Sequence, residues 1–178
     1  MSLVLSQLAA DHSIPIIFAA LVICGAAGWL LAALRVRAAS STGTVRFQWL
    51  AGTAVVAGLG VWTTHFMAMI GYRPDLPLGY ETSVTAASAA IAILAVGIPI
   101  AATSIVRQQT VAIALGASAG LGIGAMHYTG MAALEGCLQS QEFAATIAAY
   151  ATGAFLMAAG CSSRRITASL ASSAQLSL

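Results

Sequence analysis

Residues 48–71 read QWLAGTAVVAGLGVWTTHFMAMIG, a run of 24 residues without a formally charged side chain. About 20 helical residues cross the ~30 Å hydrocarbon core of a bilayer, so this stretch is long enough to span it. It is rich in Ala and Gly and lacks the alternation with a period of two that marks a strand. The stretch therefore predicts a transmembrane α-helix that buries one histidine, His65.

The rest of the chain has the same character. The protein of 178 residues is 60% hydrophobic and only 7% charged, whereas soluble domains carry roughly 25% charged residues. Such a chain cannot cover a water-facing surface, so lipid is the expected solvent. The prediction is an all-α, polytopic bundle of about five spans. They form one transmembrane domain over 1–165, followed by a short cytoplasmic tail at 166–178. The spans are predicted at 14–34, 48–71, 83–106, 109–134 and 142–161.

The loop charges predict an orientation. Six arginines fall on one side of the predicted membrane, and one arginine with all five acidic residues falls on the other. Because the side rich in Lys and Arg is usually cytoplasmic, the N-terminus is predicted outside and the C-terminus inside. No positive residue precedes the first stretch, so it is predicted to be a retained span rather than a signal peptide. The first side holds Arg35, Arg37, Arg46, Arg107, Arg164 and Arg165; the second holds Asp11, Arg73, Asp75, Glu81, Glu135 and Glu142.

Spans two and four repeat each other. Residues 57–72 read AGLGVWTTHFMAMIGY and residues 118–134 read SAGLGIGAMHYTGMAAL. Both spans cross in the same direction, so their histidines are predicted at matching depth, about 10 Å from the outer helix ends. Without a gap, the alignment pairs Gly58 with Gly120, Gly60 with Gly122, His65 with His127, Phe66 with Tyr128, and Met69 with Met131.

Helical spacing predicts that both histidines face the bundle interior. In span four, His127 shares a face with the small-residue stripe Gly116, Gly120 and Gly124, and such stripes let membrane helices approach closely. Span two repeats this arrangement, and each histidine has a methionine four residues further on. The stripes alone indicate packing, methionine often fills gaps, and one histidine could simply hydrogen-bond across helices. Two polar residues at equal depth in a membrane favour a functional site.

Imidazole and thioether groups together favour copper, particularly Cu(I). No carboxylate lies in either span, which argues against hydrolytic zinc and di-iron carboxylate sites. The alternative cofactor is a haem held by both histidines, and a third alternative is a structural subunit without a cofactor. Cys24 and Cys161 are interpreted as small apolar residues, and Cys137 as a loop thiol that is free or a weak metal ligand. No catalytic constellation and no basic stretch is present, so neither an enzyme nor a nucleic-acid-binding protein is predicted.

The segments MHYTGM at 126–131 and GVWTTHFMAM at 60–69 resemble the motifs of the MHYT domain of bacterial membrane sensors. The resemblance implies a multi-pass protein of the bacterial inner membrane that binds copper near the outer face and senses a diatomic gas: oxygen, carbon monoxide or nitric oxide. It implies a separate cytoplasmic signalling partner, such as a cyclic-di-GMP enzyme or a histidine kinase, and allows a homo-oligomer. The implied metal ligands are His65, Met69, Met126, His127 and Met131, with Phe66, Tyr128 and Trp62 around them.

The chain departs from the family pattern at two points. Thr64 occupies the place where the first motif usually has methionine. The family has six spans with a third motif in the sixth, whereas five spans and two motifs are predicted here. The interpretations are therefore a truncated copy, a fragment, or a subunit that completes its site in a dimer. Coordination left open by the missing motif could take a gas ligand.

Overall fold

The computed structural model describes residues 13–71, 79–135 and 143–175. Five long helices form one bundle in which each helix packs against the next along the chain. The four helices α1 to α4 are long and apolar enough to cross a membrane, so the predicted polytopic helical fold is confirmed. The helices are α1 (Ile14–Ala39), α2 (Gly43–Gly71), α3 (Thr82–Ala102), α4 (Gln109–Ala132) and α5 (Phe143–Gln175).

The predicted spans differ from these helices mainly at the ends. α1 and α2 are each extended by about five residues at the end where the chain passes between them, because their polar ends continue the helix beyond the apolar part. The turn between them is made at Gly43, whose φ of 56° is one that side chains rarely adopt. α5 covers residues 143–161 of the predicted fifth span, and residues 166–175 of the predicted tail continue this helix. Asp11, Arg73, Asp75, Cys137 and Glu142 lie outside the described residues.

A wide turn interrupts α3. Residues Ala92–Gly97 form a π-helical segment, in which the N–H of Ile98 donates to the carbonyl oxygen of Ile93, five residues earlier. Pro99 follows at once, and a proline inside a helix removes a backbone donor and clashes with the carbonyl four residues before it. The wide turn accommodates that clash. Gly97 lies at this turn against the backbone of Ala54 on α2, so α2 and α3 are close there.

A short antiparallel β pair closes one end of the bundle. Strands β1 (Gly79–Tyr80) and β2 (Leu134–Glu135) pair Gly79 with Glu135 and Tyr80 with Leu134. We call this end the β-pair end, and the other, where Arg35, Arg46 and Arg107 lie, the arginine end. The β pair ties the start of α3 to the end of α4 and so fixes the bundle end nearest the histidines. The sequence did not predict it, because two-residue strands carry no periodic signal.

Small residues make up the core. Ala57, Val96, Ile100 and Ala119 form its buried cluster. Lipid tails are as apolar as these side chains, so close packing, rather than exclusion from water, holds such helices together. Large apolar side chains such as Phe18, Trp29 and Phe155 point outward, as expected for surfaces that contact lipid.

Candidate functional site

Glycines on α2 and α4 set the two histidine helices against their neighbours. A Cβ at Gly58 would lie 2.5 Å from the Cα atom of Ile93 on α3. A Cβ at Gly120 would lie 2.6 Å from the Cα atom of Ala154 on α5. These distances are too short for any side chain, so both sites require glycine. The predicted glycine stripes therefore bring the backbones together.

The histidines meet between α2 and α4. The Nδ1 atoms of His65 and His127 are 3.3 Å apart. Their ring centroids are 4.7 Å apart, and the ring planes are inclined by 68°. The side-chain geometry thus brings together the two residues that the sequence placed at equal depth, and neither ring is directed only toward lipid.

The nitrogen atoms of this pair allow two chemical states. In a metal-free pair, one neutral ring donates its Nδ1–H to the other Nδ1 atom; 3.3 Å is slightly beyond the usual 2.7–3.2 Å range for N–H donors. Alternatively, both Nδ1 lone pairs share one ion, because two nitrogens about 2.0 Å from a tetrahedral metal ion are about 3.3 Å apart. The Nε2 atom of His65 is buried and has no hydrogen-bond partner among the described residues, so within them Nδ1 is the nitrogen of His65 with a polar neighbour.

Aromatic rings surround the histidines. The Phe66 and His65 rings are nearly perpendicular at a centroid distance of 5.3 Å, and the Tyr128 and His127 rings are nearly perpendicular at 5.0 Å. Trp62 packs on Phe66 at 4.6 Å and donates its indole N–H to the Ser88 hydroxyl oxygen at 2.9 Å. Trp62, Phe66 and Tyr128, all predicted from the motifs, thus form a ring cluster next to the imidazoles.

Two further tyrosines belong to this cluster and were not predicted. Tyr150 of α5 stacks on Tyr128 with centroids 5.5 Å apart, and Tyr80 of β1 lies 6.0 Å from the Phe66 ring. The repeat offset of 62 residues does not point to Tyr150, because it pairs Tyr150 with Ser88, which is not among the predicted site residues. Burial raises the pKa of the Tyr80 hydroxyl above its ordinary value of 10.0. A neutral phenol therefore lies near the site at the β-pair end.

A cavity of about 440 Å³ borders the histidines on the side of the arginine end. Its wall includes Thr64, His65, Met126 and His127, and Met126 is only 1% exposed. Met69 and Met131, the other predicted sulfur ligands, are half-buried and do not line this cavity. They lie one helical turn nearer the β-pair end, so the predicted sulfur atoms fall on both sides of the imidazole pair.

The described residues contain no group of three His, Cys, Asp or Glu side chains that could hold a metal. A metal at this pair would therefore need thioether or external ligands besides the two imidazoles. Cys24 lines the same cavity, although the sequence suggested only an apolar role for it. The assignment of metal ligands stays a prediction.

Family comparison agrees with the repeat. The family model described as "MHYT: Bacterial signalling protein N terminal repeat" matches residues 58–117 and again residues 120–176. The two matches start at the glycines that the internal alignment pairs. The chain belongs to the MHYT family. It is a multi-pass membrane protein carrying an MHYT signalling domain of the sensor type.

Curated relatives share this region. An "Uncharacterized signaling protein" of Caulobacter vibrioides is 38% identical over 129 residues, which is 72% of this chain and 16% of that protein. The "Bifunctional diguanylate cyclase/cyclic di-GMP phosphodiesterase MucR" of Pseudomonas aeruginosa is 41% identical over 102 residues, 55% of this chain and 14% of the relative. The "Cyclic di-GMP phosphodiesterase NbdA" of the same species is 39% identical over 90 residues, 50% of this chain and 11% of the relative.

The chain thus spans about a seventh of the length of these relatives. The shared part corresponds to the signalling repeat, so the enzymatic activities in their names do not pass to this chain by similarity alone. No solved structure matches the chain significantly.

Proposed function

We propose that this MHYT domain is a membrane sensor that binds one copper ion between His65 and His127. The observation that carries the proposal is the 3.3 Å distance between their Nδ1 atoms, which suits two nitrogen ligands of one small ion. Met126 on the cavity side, or Met69 and Met131 on the β-pair side, would supply the soft sulfur that favours Cu(I). Bound copper would supply a soft centre able to coordinate a diatomic gas.

The close contact between the two imidazole rings supports copper over the haem alternative. A haem ligated by both histidines must place its macrocycle between the two imidazole rings. Rings in direct contact, with centroids 4.7 Å apart, leave no room for a macrocycle, whereas a single ion fits between their lone pairs. An optical spectrum of the purified protein tests this directly, because a Soret band would contradict the copper proposal.

The cavity supports the gas-sensing part of the proposal. Its wall is almost entirely apolar and reaches both histidines, so a small apolar molecule dissolved in the bilayer could approach the imidazole pair. Oxygen, carbon monoxide and nitric oxide have these properties. The names of MucR and NbdA suggest that the output is a cyclic-di-GMP enzyme, reached through a separate partner or a further domain.

The test is copper analysis of detergent-purified protein under reducing conditions. We expect about one copper per chain, and loss of at least nine-tenths of it in the double variant His65→Gln plus His127→Gln. The control is His12→Gln, at a histidine outside the described residues. Equal copper in the double variant and the wild type, or copper lost only with His12, would refute the site. Helix content by circular dichroism shows whether each variant is folded.

The sulfur ligand is tested by comparing thioether variants. Met126→Leu removes the cavity-side sulfur, Met69→Leu plus Met131→Leu removes the β-pair-side sulfurs, and Met67→Leu is the control. We expect one of the first two variants to weaken Cu(I) binding by at least tenfold while the control does not. Carbon monoxide added to the reduced copper protein should give an infrared band that disappears in the double histidine variant. If the protein is fully loaded with copper and shows no carbon monoxide band, the gas-sensing part of the proposal is refuted and the copper-binding part stands.

A further inference from the structure

Two neighbouring apolar cavities lie between the histidines and the arginine end. The 440 Å³ cavity beside the histidines and a second cavity of about 190 Å³ have four wall residues in common, from α1, α2 and α4. The two cavities are therefore adjacent along α1, and we call them together the groove. Its far end is lined by Arg35 of α1 and by Gly160 and Cys161 of α5. The shared residues are Leu31, Ala57, Val61 and Ile123.

The groove opens toward the bilayer and has the depth of one leaflet. Cys24 and Gly28 line it and are exposed on the surface of α1, so a lipid-soluble molecule can enter there. From Cys24 to Arg35, α1 advances about 16 Å at 1.5 Å per residue. This length is about half of the ~30 Å hydrocarbon core. The groove therefore matches one acyl chain of one leaflet in length.

The wall of the groove suits a thin, apolar occupant. Its lining is almost entirely apolar, as an acyl chain requires. An acyl chain is also much thinner than an α-helix, which with its side chains is at least about 10 Å wide.

Charge at the far end indicates what kind of lipid fits. Among the described residues that line the groove, Arg35 is the permanently charged one, and it donates to the Thr103 hydroxyl oxygen over 2.9 Å. That hydrogen bond holds its guanidinium at the arginine end, at the level expected for headgroups. A guanidinium matches phosphate oxygens in shape and charge.

We propose that the groove binds an anionic phospholipid, with one acyl chain along α1 and the phosphate at Arg35. The proposal does not depend on copper, because neither Arg35 nor the apolar wall belongs to the imidazole pair. The bound acyl chain would extend into the cavity beside the histidines, so lipid and small apolar ligands would compete for that cavity.

The headgroup is tested by native mass spectrometry of the full chain. The probe is an equimolar mixture of phosphatidylglycerol and phosphatidylcholine with matched acyl chains. We expect the wild type to retain phosphatidylglycerol preferentially, and Arg35→Gln to reduce that preference about fivefold, as for one arginine near an anionic membrane surface. The control is Arg37→Gln, because Arg37 is exposed and packs over the Trp49 ring with a 5.3 Å distance from Cζ to the centroid. Equal losses in both variants would show general surface attraction and overturn the proposal.

The acyl-chain site is tested by filling the groove. A Cβ at Gly28 would meet no atom of the described residues within 4 Å, so Gly28→Leu adds a side chain to the groove from an open position. Gly25→Leu is the matched control, since Gly25 is equally open but does not line the groove. We expect only Gly28→Leu to reduce retained lipid by at least threefold. An unchanged amount of retained lipid in Gly28→Leu would refute the proposal. A wild-type protein that is a dimer without bound lipid, and that becomes a monomer only in Gly28→Leu, would also refute it, because a second copy would then occupy the groove.

Discussion

The two repeats carry the same histidine on helices packed in the same way. At one contact between neighbouring helices, however, the large and the small side chain come from opposite helices in the two repeats. In the first repeat, α2 contributes the large Trp62 and α3 the small Ser88, joined by the indole N–H. In the second repeat, the equivalent positions are Gly124 of α4 and Tyr150 of α5, and the tyrosine ring occupies the space beside the glycine. The large and small members have exchanged helices.

The exchange shows what the repeat preserves. In both halves an aromatic ring packs against the residue that follows the histidine: Trp62 on Phe66 at 4.6 Å, and Tyr150 on Tyr128 at 5.5 Å. The ring comes from the same helix in the first half and from the neighbouring helix in the second. The shared property is therefore the filled space beside the histidine, since interiors are close-packed whichever chain segment supplies the atoms.

Exchanging the pair in the first repeat should give the largest effect. Trp62→Gly removes a large side chain, and we expect it to lower the free energy of unfolding by about 3 kcal/mol. Ser88→Tyr alone adds volume at a residue that is 0% exposed, which costs about 1–3 kcal/mol. The double variant recreates the second repeat's arrangement, so its loss should be at least about 1 kcal/mol smaller than the sum of the single losses. Unfolding in detergent, followed by circular dichroism, measures all three.

The control for this cycle pairs Trp62→Gly with a distant change, Ser118→Tyr, at an exposed serine of α4. Those two effects should add. If the effects of Trp62→Gly and Ser88→Tyr on the free energy of unfolding are also additive, the two positions are not coupled. The exchange of large and small residues would then not be explained by packing.

Substitutions at the paired glycines test whether the two repeats share their helix packing. Gly58→Ala and Gly120→Ala each place a Cβ against a neighbouring backbone, so both should lose about 2–3 kcal/mol, near the upper range for overpacking. Gly25→Ala, which meets nothing within 4 Å, should change stability by less than about 1 kcal/mol. The same unfolding measurement applies. A large loss at only one of the two paired glycines would mean that the repeats do not share their packing.

A third comparison concerns Gly130, whose equivalent in the first repeat is the exposed Ala68. A Cβ at Gly130 would lie 3.1 Å from the Nε2 atom of His65 and 3.3 Å from the Phe66 ring, so Gly130→Ala pushes on the His65 ring. On the proposed copper site, we expect copper affinity to fall about tenfold, as when support around a metal ligand is lost. Ala68→Gly should leave affinity unchanged. Competition with a Cu(I) chelator measures both, and equal affinities would exclude a positioning role for Gly130.

Much of this architecture was predictable from the sequence, because its signals are periodic. Charge-free runs predicted the helices, and the offset between His65 and His127 predicted their equal depth. The glycine stripe predicted the face of His127. All three are properties of single helices or of a repeat, which need no knowledge of the neighbouring chain.

The unpredicted features depend on contacts between distant segments. The β pair, the stacking of Tyr150 on Tyr128 and the cavity beside Met126 require knowing which helices are neighbours. The spacing of four residues predicted that Met69 and Met131 share a helix face with the histidines. It carries no information about the side of the imidazole rings on which a cavity opens. The π-helical turn before Pro99 also lacks a periodic signal, because proline inside a helix has several structural outcomes.

The smallest predicted effect concerns how α3 and α5 begin. Glu81 caps α3, and its carboxylate accepts hydrogen bonds from the Ser83 hydroxyl and from the N–H groups of Ser83 and Val84. These bonds, the hydroxyl's first, hold the pKa of Glu81 below its ordinary value of 4.5. The equivalent position in the second repeat is Phe143, whose side chain cannot accept such bonds.

The lowered pKa sets the direction of a pH effect. Well above pH 4.5 the carboxylate is charged in both folded and unfolded chains, and its stabilising contribution is complete. As the pH falls through the lowered pKa of the folded state, that contribution is lost. We therefore expect wild type to be more stable than Glu81→Gln at pH 7, with the difference shrinking as the pH falls below 4.5. Gln108→Ala, at the start of α4 where no side chain caps the helix, should show a difference independent of pH. A constant difference for Glu81→Gln would mean that the cap does not depend on the charge of Glu81.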